Sequence, residues 1–447
     1  MAADRTSRQA WVIWTAAVIV YLAAVFHRGS LSVAGPLAGE RFAVGSAALA
    51  VFTVLQLGVY AAMQVPTGVL VDKFGAKRVL IAATVLLGLG QVLFALASSY
   101  PVALGARVVV GVGDALTWVS LLRLVASHFA ARSYAMVVSV SSALGALGGV
   151  IATVPLSMAL GSAGWTLTFM AVGAVTLAYT AAVSLGVRNT PAGQQPTHVA
   201  SQNVLRQVPA AWKVAGTRLA FWVHFSTGML PGVLGLLWGY SYLVDGVGVE
   251  PGTASVLVAT LVLTGVLGGP MVGAVIGRRP ASRMGIVITY LASSVGLLAV
   301  LSAWPGGQPP VLLAAVAFVV FASGGPVSSV AFALVRDYNP MAQVGTATGV
   351  ANVGGHSATA IGSLIIGLLL DVVGHLPGNE AYRVALLGAV ALLLLGGVRT
   401  VVWWRRARAQ VFEAEKRGEQ VPVRLRQRRW DLPTAPARDT EPVPAPA

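Results

Sequence analysis

Gly68-Val69-Leu70-Val71-Asp72-Lys73-Phe74-Gly75-Ala76-Lys77-Arg78 connects two long apolar runs, residues 46–71 and 79–97, and nothing in those runs explains so dense a cluster of charge. Two glycines, one acid and three bases at this spacing predict a tight, basic turn between two helices at a membrane surface.

The composition agrees with that setting. Of 447 residues, 56% are hydrophobic and 10% are charged, whereas a soluble globular protein carries about 25% charged residues. Apolar runs of about 20 residues recur from end to end, each long enough to cross a bilayer as a helix. Weak alternation and abundant Leu, Ala, Gly and Val favour helices over a β-barrel. Cysteine is absent, which excludes a disulfide framework, a thiolate metal site and a thiol nucleophile. The net charge of +15 invites a nucleic-acid reading. The placement of the charges argues against one: most Lys and Arg lie in short loops and the C-terminal tail, as membrane topology requires. The first apolar run has no small-residue cleavage site after it and reads as a retained helix, not a removed signal peptide.

Twelve spans are predicted, at 10–38, 46–71, 79–97, 101–127, 135–160, 165–187, 217–244, 253–276, 284–303, 311–335, 345–373 and 381–404. The fold class is therefore all-α membrane protein with twelve transmembrane helices. Residues 1–187 form one six-helix unit and 217–404 a second. The intervening 188–216 is a polar linker rich in Pro, Gln, Thr and Ser. Residues 405–447 are a basic and then Pro/Ala-rich tail, expected to be disordered because it lacks the apolar content to fold. With both termini taken as cytoplasmic, the inner side holds Arg5, Arg8, Lys73, Lys77, Arg78, Arg132, Arg188, Arg206, Lys213, Arg278, Arg279, Arg283, Arg336 and the tail. The outer loops hold Arg41 and Arg383, beside Glu40, Asp245, Glu250 and Glu380. That asymmetry sets the orientation in a cytoplasmic membrane.

An internal repeat follows. Gly273-x-x-x-Gly277-Arg278-Arg279-Pro280-x-x-Arg283 lies between spans 8 and 9, and its two glycines stand 205 positions after Gly68 and Asp72. Six helices, a polar linker and six more with a degenerate copy of one loop is a two-halved arrangement described for secondary transporters. The pattern Gly68-x-x-x-Asp72-x-x-Gly75-x-Lys77-Arg78 resembles the signature loop between helices 2 and 3 of the major facilitator superfamily, and Arg107-x-x-x-Gly111-x-Gly113 resembles that family's second motif. The resemblance implies two pseudo-symmetric bundles working by alternating access, a central cavity lined by helices 1, 4, 7 and 10, and a first loop that stabilises the outward-open state. Span 11 begins near Val344-Gly345-Thr346 on the same face as Asp72, so its positive dipole end offers a partner to that carboxylate. The alternative is that these charges only set topology.

Small residues recur every four positions at Ser141, Gly145 and Gly149 in span 5 and at Gly269, Gly273 and Gly277 in span 8. Such stripes let helices approach closely, and the two are expected to pack against each other across the halves, unless chance accounts for them in a glycine-rich chain.

Asp114 is the acid deepest inside a predicted span, two turns after Arg107, with Trp118 one turn further. Ionised groups inside a membrane face a cavity or a partner, so Asp114 is the candidate proton-carrying carboxylate. A fixed pair with Arg107 or Arg28 is the alternative. Arg28 reads as a cavity cation whose planar fork suits a carboxylate or other oxyanion. A structural bridge to Asp114 competes with that reading. His27 is a candidate relay but more readily packs. Gln56, Tyr60, His224, Trp238, Asn352 and His356 are candidate substrate contacts, each equally able to serve helix packing or an interfacial belt. His224 and His356 lack the third ligand of a metal site. No phosphate-cradling loop is present, which removes direct ATP coupling, and no nucleophile or cofactor box points to an enzyme. Span 5 also lacks the Gly-Pro pair expected of the family's drug/proton antiporters. The expected activity is thus proton-coupled transport of a small anion by a monomer without cofactors. A lipophile exporter or a membrane sensor signalling through the tail are the alternatives.

Overall fold

The computed structural model describes residues 7–44, 46–191, 204–373, 375–419 and 425. Arg5, the middle of the polar linker and the Pro/Ala-rich end lie outside them. The described chain is a bundle of helices: α1 (Arg8–Gly29), α2 (Leu31–Phe42), α3 (Ser46–Phe74), α4 (Ala76–Leu96), α5 (Tyr100–His128), α6 (Ala131–Ile151), α7 (Val154–Gly186), α8 (Val204–Lys213) and α9 (Ala215–Val233). They are followed by α10 (Gly239–Ser241), α11 (Pro251–Arg278), α12 (Arg283–Ala303), α13 (Val311–Ala322), α14 (Gly324–Val327), α15 (Ser329–Tyr338), α16 (Val344–Val372) and α17 (Gly378–Lys416).

Among the described residues, eleven helices are long and apolar enough to cross a membrane. The predicted seventh span is the difference. Its α-helix, α9, stops at Val233 and continues in wide turns over Leu234–Trp238 and Tyr242–Val247, and it carries His224, Ser226 and Thr227. The first span breaks at Ser30 and the tenth around Ser323 and Ser328. Gly164, at φ 72°, interrupts α7 where spans 5 and 6 were expected to part. Large aliphatic side chains such as Val175, Leu267, Met271 and Leu312 stand exposed on the outside of the bundle, as a lipid-facing surface requires.

Within the first half α4 packs on α5 and α7, and α3 on α5. Within the second, α9 packs on α16 and α17, and α11 on α13. The halves are joined by α6 against α11, α3 against α16, α6 against α15 and α5 against α16. The tail departs from expectation. α17 continues past 404 to Lys416 because Ala407, Val411 and Phe412 are buried, and Gln410 Oε1 accepts a hydrogen bond from the Ala215 amide at 3.4 Å.

Candidate functional site

The charged turn is built into the junction between α3 and α16. Asp72, 6% exposed, accepts from the Gly345 amide (2.9 Å), the Thr346 amide (2.7 Å) and the Thr346 hydroxyl (2.7 Å). These are the unpaired donors at the start of α16, where the helix dipole also favours an anion. Arg123 Nε stands 3.9 Å from the same carboxylate. Gly68, one turn before Asp72, admits α16: a Cβ there would meet the Gly345 carbonyl oxygen at 2.5 Å. Gly75 has φ 84°, and its Cβ would collide with Asn189, whose Oδ1 accepts from the Lys77 amide at 2.8 Å. The start of the linker thus caps α4. Lys73 and Arg78 are exposed.

The degenerate copy makes the matching seam. A Cβ on Gly273 would stand 2.7 Å from the Ala135 carbonyl, and one on Gly277 would strike the Arg132 carbonyl. α6 and α11 therefore pack across the halves as expected, but not through both small-residue stripes. Gly269, Gly273 and Gly277 meet Arg132, Ala135 and Ser139 of α6. Ser141, Gly145 and Gly149 lie on another face of α6 and receive α1. Ser141 accepts from Trp14 Nε1 at 2.8 Å, and a Cβ on Gly145 would enter the Tyr21 ring. Six positions separate Ala135 from Ser141, which turns the second stripe well away from the first on a 3.6-residue helix. On the same basic face Arg336 donates to the Phe129 carbonyl at 2.9 Å and covers the Tyr134 ring at 5.2 Å.

Above these seams, between the halves, lies a cavity of about 280 Å³. Arg28, Tyr60 and Trp118 line it from the first half, and His224, Asn352 and His356 from the second. Arg28 grips Asp114 with both prongs, Nε to Oδ2 at 2.8 Å and Nη2 to Oδ1 at 2.7 Å. Asp114 is fully buried, while the Arg28 side chain keeps 27% of its surface exposed. The guanidinium also covers the Tyr60 ring at 4.5 Å, and Tyr60 meets the His356 ring edge-on at 5.1 Å. Asn352 Nδ2 donates to Gln64 Oε1 at 2.6 Å across the halves. Trp118 packs between Tyr21 and Phe332, and Phe332 also touches His224.

Four expected site residues fall elsewhere. Arg107 is fully buried away from the cavity, donating to Ser30 and Gln56 and covering the Phe94 ring at 5.2 Å. Gln56 is consumed by that contact. His27 is buried between Gln91 and Thr176, each at 3.1 Å, and packs as its alternative reading held. Trp238 donates to the Ser363 carbonyl at 3.0 Å and lies against Gly367. In each case local hydrogen bonding within one half claims the polar group. Sequence reasoning passed over Arg123, although a lone base inside an apolar span is the signal that singled out Arg28. It also passed over Asp337, which pairs with Arg283, and Ser328 and Ser329, which line the cavity.

The model of the Major Facilitator Superfamily matches residues 14–244 and 220–437. The chain belongs to that superfamily. It is 25% identical over 407 residues to the probable sulfoacetate transporter SauU of Cupriavidus necator, covering 86% of this chain and 93% of that one. It is 24% identical to the hexuronate transporter of Bacillus subtilis, covering 87% and 94%. It is 27% identical to the 3-(3-hydroxy-phenyl)propionate transporter of Escherichia coli, covering 77% and 81%. Among solved structures, the E. coli fucose:proton symporter FucP superposes with a TM-score of 0.66 at 16% identity, covering 88% of this chain and 99% of that one. FucP in the outward conformation gives 0.68 at 14% identity, with the same coverage. The protein is a multi-pass membrane transporter of small solutes, with the fold expected for its family.

Proposed function

We propose that this transporter moves a small organic anion by alternating access and couples it to protons. The carrying observation is the two-pronged Arg28–Asp114 pair at the edge of the cavity. A substrate carboxylate can take the same guanidinium fork only by displacing Asp114. A buried carboxylate that loses its cation is costly to keep ionised and takes up a proton instead. Anion binding and Asp114 protonation then become one event. The two readings of the pair, structural bridge and coupling site, merge into two stages of a cycle. The relatives named for sulfoacetate, hexuronate and hydroxyphenylpropionate all carry carboxylates, which supports the anion.

In this reading residues 1–187 and 217–404 are the moving units. The basic face is cytoplasmic, as are both termini, and the Asp72 and Gly273–Gly277 contacts close it in an outward-facing state of the plasma-membrane protein. The test is transport in proteoliposomes. Arg28→Ala should abolish anion uptake. Asp114→Asn should retain substrate exchange while losing the accompanying pH change and uptake against a gradient. Wild-type accumulation by Asp114→Asn would reject the coupling.

A further inference from the structure

We propose that a pocket at the basic end of the α6–α11 seam binds the phosphate headgroup of an anionic phospholipid, and that the bound lipid holds the seam shut. The second clause rests on the alternating-access reading. The pocket has a volume of about 480 Å³ and is lined by Arg132, Ser133 and Met136 of α6 and by Ala274 and Arg278 of α11. It shares no lining residue with the central cavity.

The charged walls call for an anion. Arg132 and Arg278 are exposed, one from each half, and among the described residues no acid lines the pocket. Backbone contact fixes their approach: a Cβ on Gly277 would strike the Arg132 carbonyl, so glycine lets the two helix ends meet. Closing the seam thus gathers two positive charges into one pocket, where they repel. α6 adds the same sign, because its N-terminus lies here with no acid in the first turn and no side-chain cap. A phosphate between the guanidiniums replaces that repulsion with charge-assisted hydrogen bonds, for which the arginine fork is shaped.

The apolar surroundings favour a lipid over a free phosphate. Leu267, Met271, Ala274 and Arg278 fall at i, i+4, i+7 and i+11 of α11 and so share one face. Leu267 and Met271 are 68% and 70% exposed on the lipid-facing outside of the bundle. That face runs from side chains that suit an acyl chain to a guanidinium that suits its phosphate, and Met136 adds apolar lining from α6. Basic pockets between helices at a membrane surface take acidic headgroups in this way. Because each half supplies one wall, a headgroup touches both arginines only while α6 and α11 are packed. A ligand with better contacts in one of two states shifts the population toward that state.

The experiment uses the full chain carrying Ser139→Cys, whose thiol lies in the same seam and reacts with N-ethylmaleimide when the seam opens. Labelling is compared in nanodiscs of phosphatidylcholine alone and of phosphatidylcholine mixed with phosphatidylglycerol. Phosphatidylglycerol should slow labelling at least about fivefold. Arg132→Gln and Arg278→Gln should each remove most of that slowing. Arg279→Gln, which takes the same charge from the next residue outside the pocket, should keep it. Native mass spectrometry should show phosphatidylglycerol retained by the parent chain and lost from the Arg132→Gln/Arg278→Gln double variant. Equal retention by that double variant would overturn the site, as would loss of the slowing in Arg279→Gln. Inorganic phosphate that slows labelling in phosphatidylcholine as strongly would assign the pocket to a free anion and overturn the lipid. If a variant does not fold, the parent chain's comparison of the two lipids decides. A seam that never labels in either lipid, even with Asp72→Asn, would sink the alternating-access reading and the holding role, while lipid retention still decides the site.

Discussion

Replacing Asp72 with Asn should open the basic face. The carboxylate accepts three hydrogen bonds at 2.7–2.9 Å from Gly345 and Thr346. An asparagine keeps one acceptor oxygen and turns an NH2 group toward donors. Hydrogen bonds to a charged group contribute about 1.5–3 kcal/mol each, and the helix dipole adds about 0.3–1 kcal/mol. Allowing the amide to keep one bond, the closed state loses two such bonds and the dipole contribution, about 3–7 kcal/mol. At about 1.4 kcal/mol per decade that is a shift of at least about 100-fold toward open forms. The chain contains no cysteine, so a single Ser139→Cys reports on the seam: Ser139 is 3% exposed and packed against Gly269 and Gly273. Its maleimide labelling rate tracks the open population and should rise at least about 100-fold in Asp72→Asn. Thr346→Val, which removes only the hydroxyl bond, should give about tenfold. Substrate affinity should be nearly unchanged. A folded Asp72→Asn protein labelled within about twofold of the wild-type rate would refute the latch.

Three further outcomes follow from the same contacts. Gly277→Ala places a methyl group on the Arg132 carbonyl and should loosen the α6–α11 seam by about 1–3 kcal/mol, read as faster Ser139→Cys labelling with Asp72 intact. Gly75→Ala forces a side chain onto a backbone at φ 84° and ψ 147°, which essentially only glycine adopts, and into Asn189; it should cost about 1–3 kcal/mol and lower the melting temperature. Glu250 caps α11, and hydrogen bonds from the Gly252 and Thr253 amides hold its carboxyl below the ordinary value of 4.5. A depressed acid stabilises the fold above the unfolded value and loses that contribution as pH falls through the folded one. The melting-temperature gap between wild type and Glu250→Gln should therefore be constant near neutrality and close below about pH 4.5.

The one-dimensional pattern of this chain determined its membrane character, the approximate spans, the orientation asymmetry and the repeated loop. Each of these depends on local composition, because a bilayer demands long apolar helices and sorts Lys and Arg between its faces. Asp72 was legible for the same reason: a carboxylate between glycines at a helix end needs donors, and span 11 begins on that face. Tertiary structure decided what each polar group actually touches. Arg28, Arg107 and Asp114 are indistinguishable as charges in apolar runs, yet Arg28 reaches the cavity and Asp114 while Arg107 spends its donors on Ser30 and Gln56. The stripes of Ser141 and Gly273 have the same spacing but face different neighbours, since helix rotation about its axis is set by packing and not by period. Asn352 gained its partner only when the fold set it against Gln64 of the other half. A sequence names the donors and acceptors, and the fold settles which of them remain for a substrate.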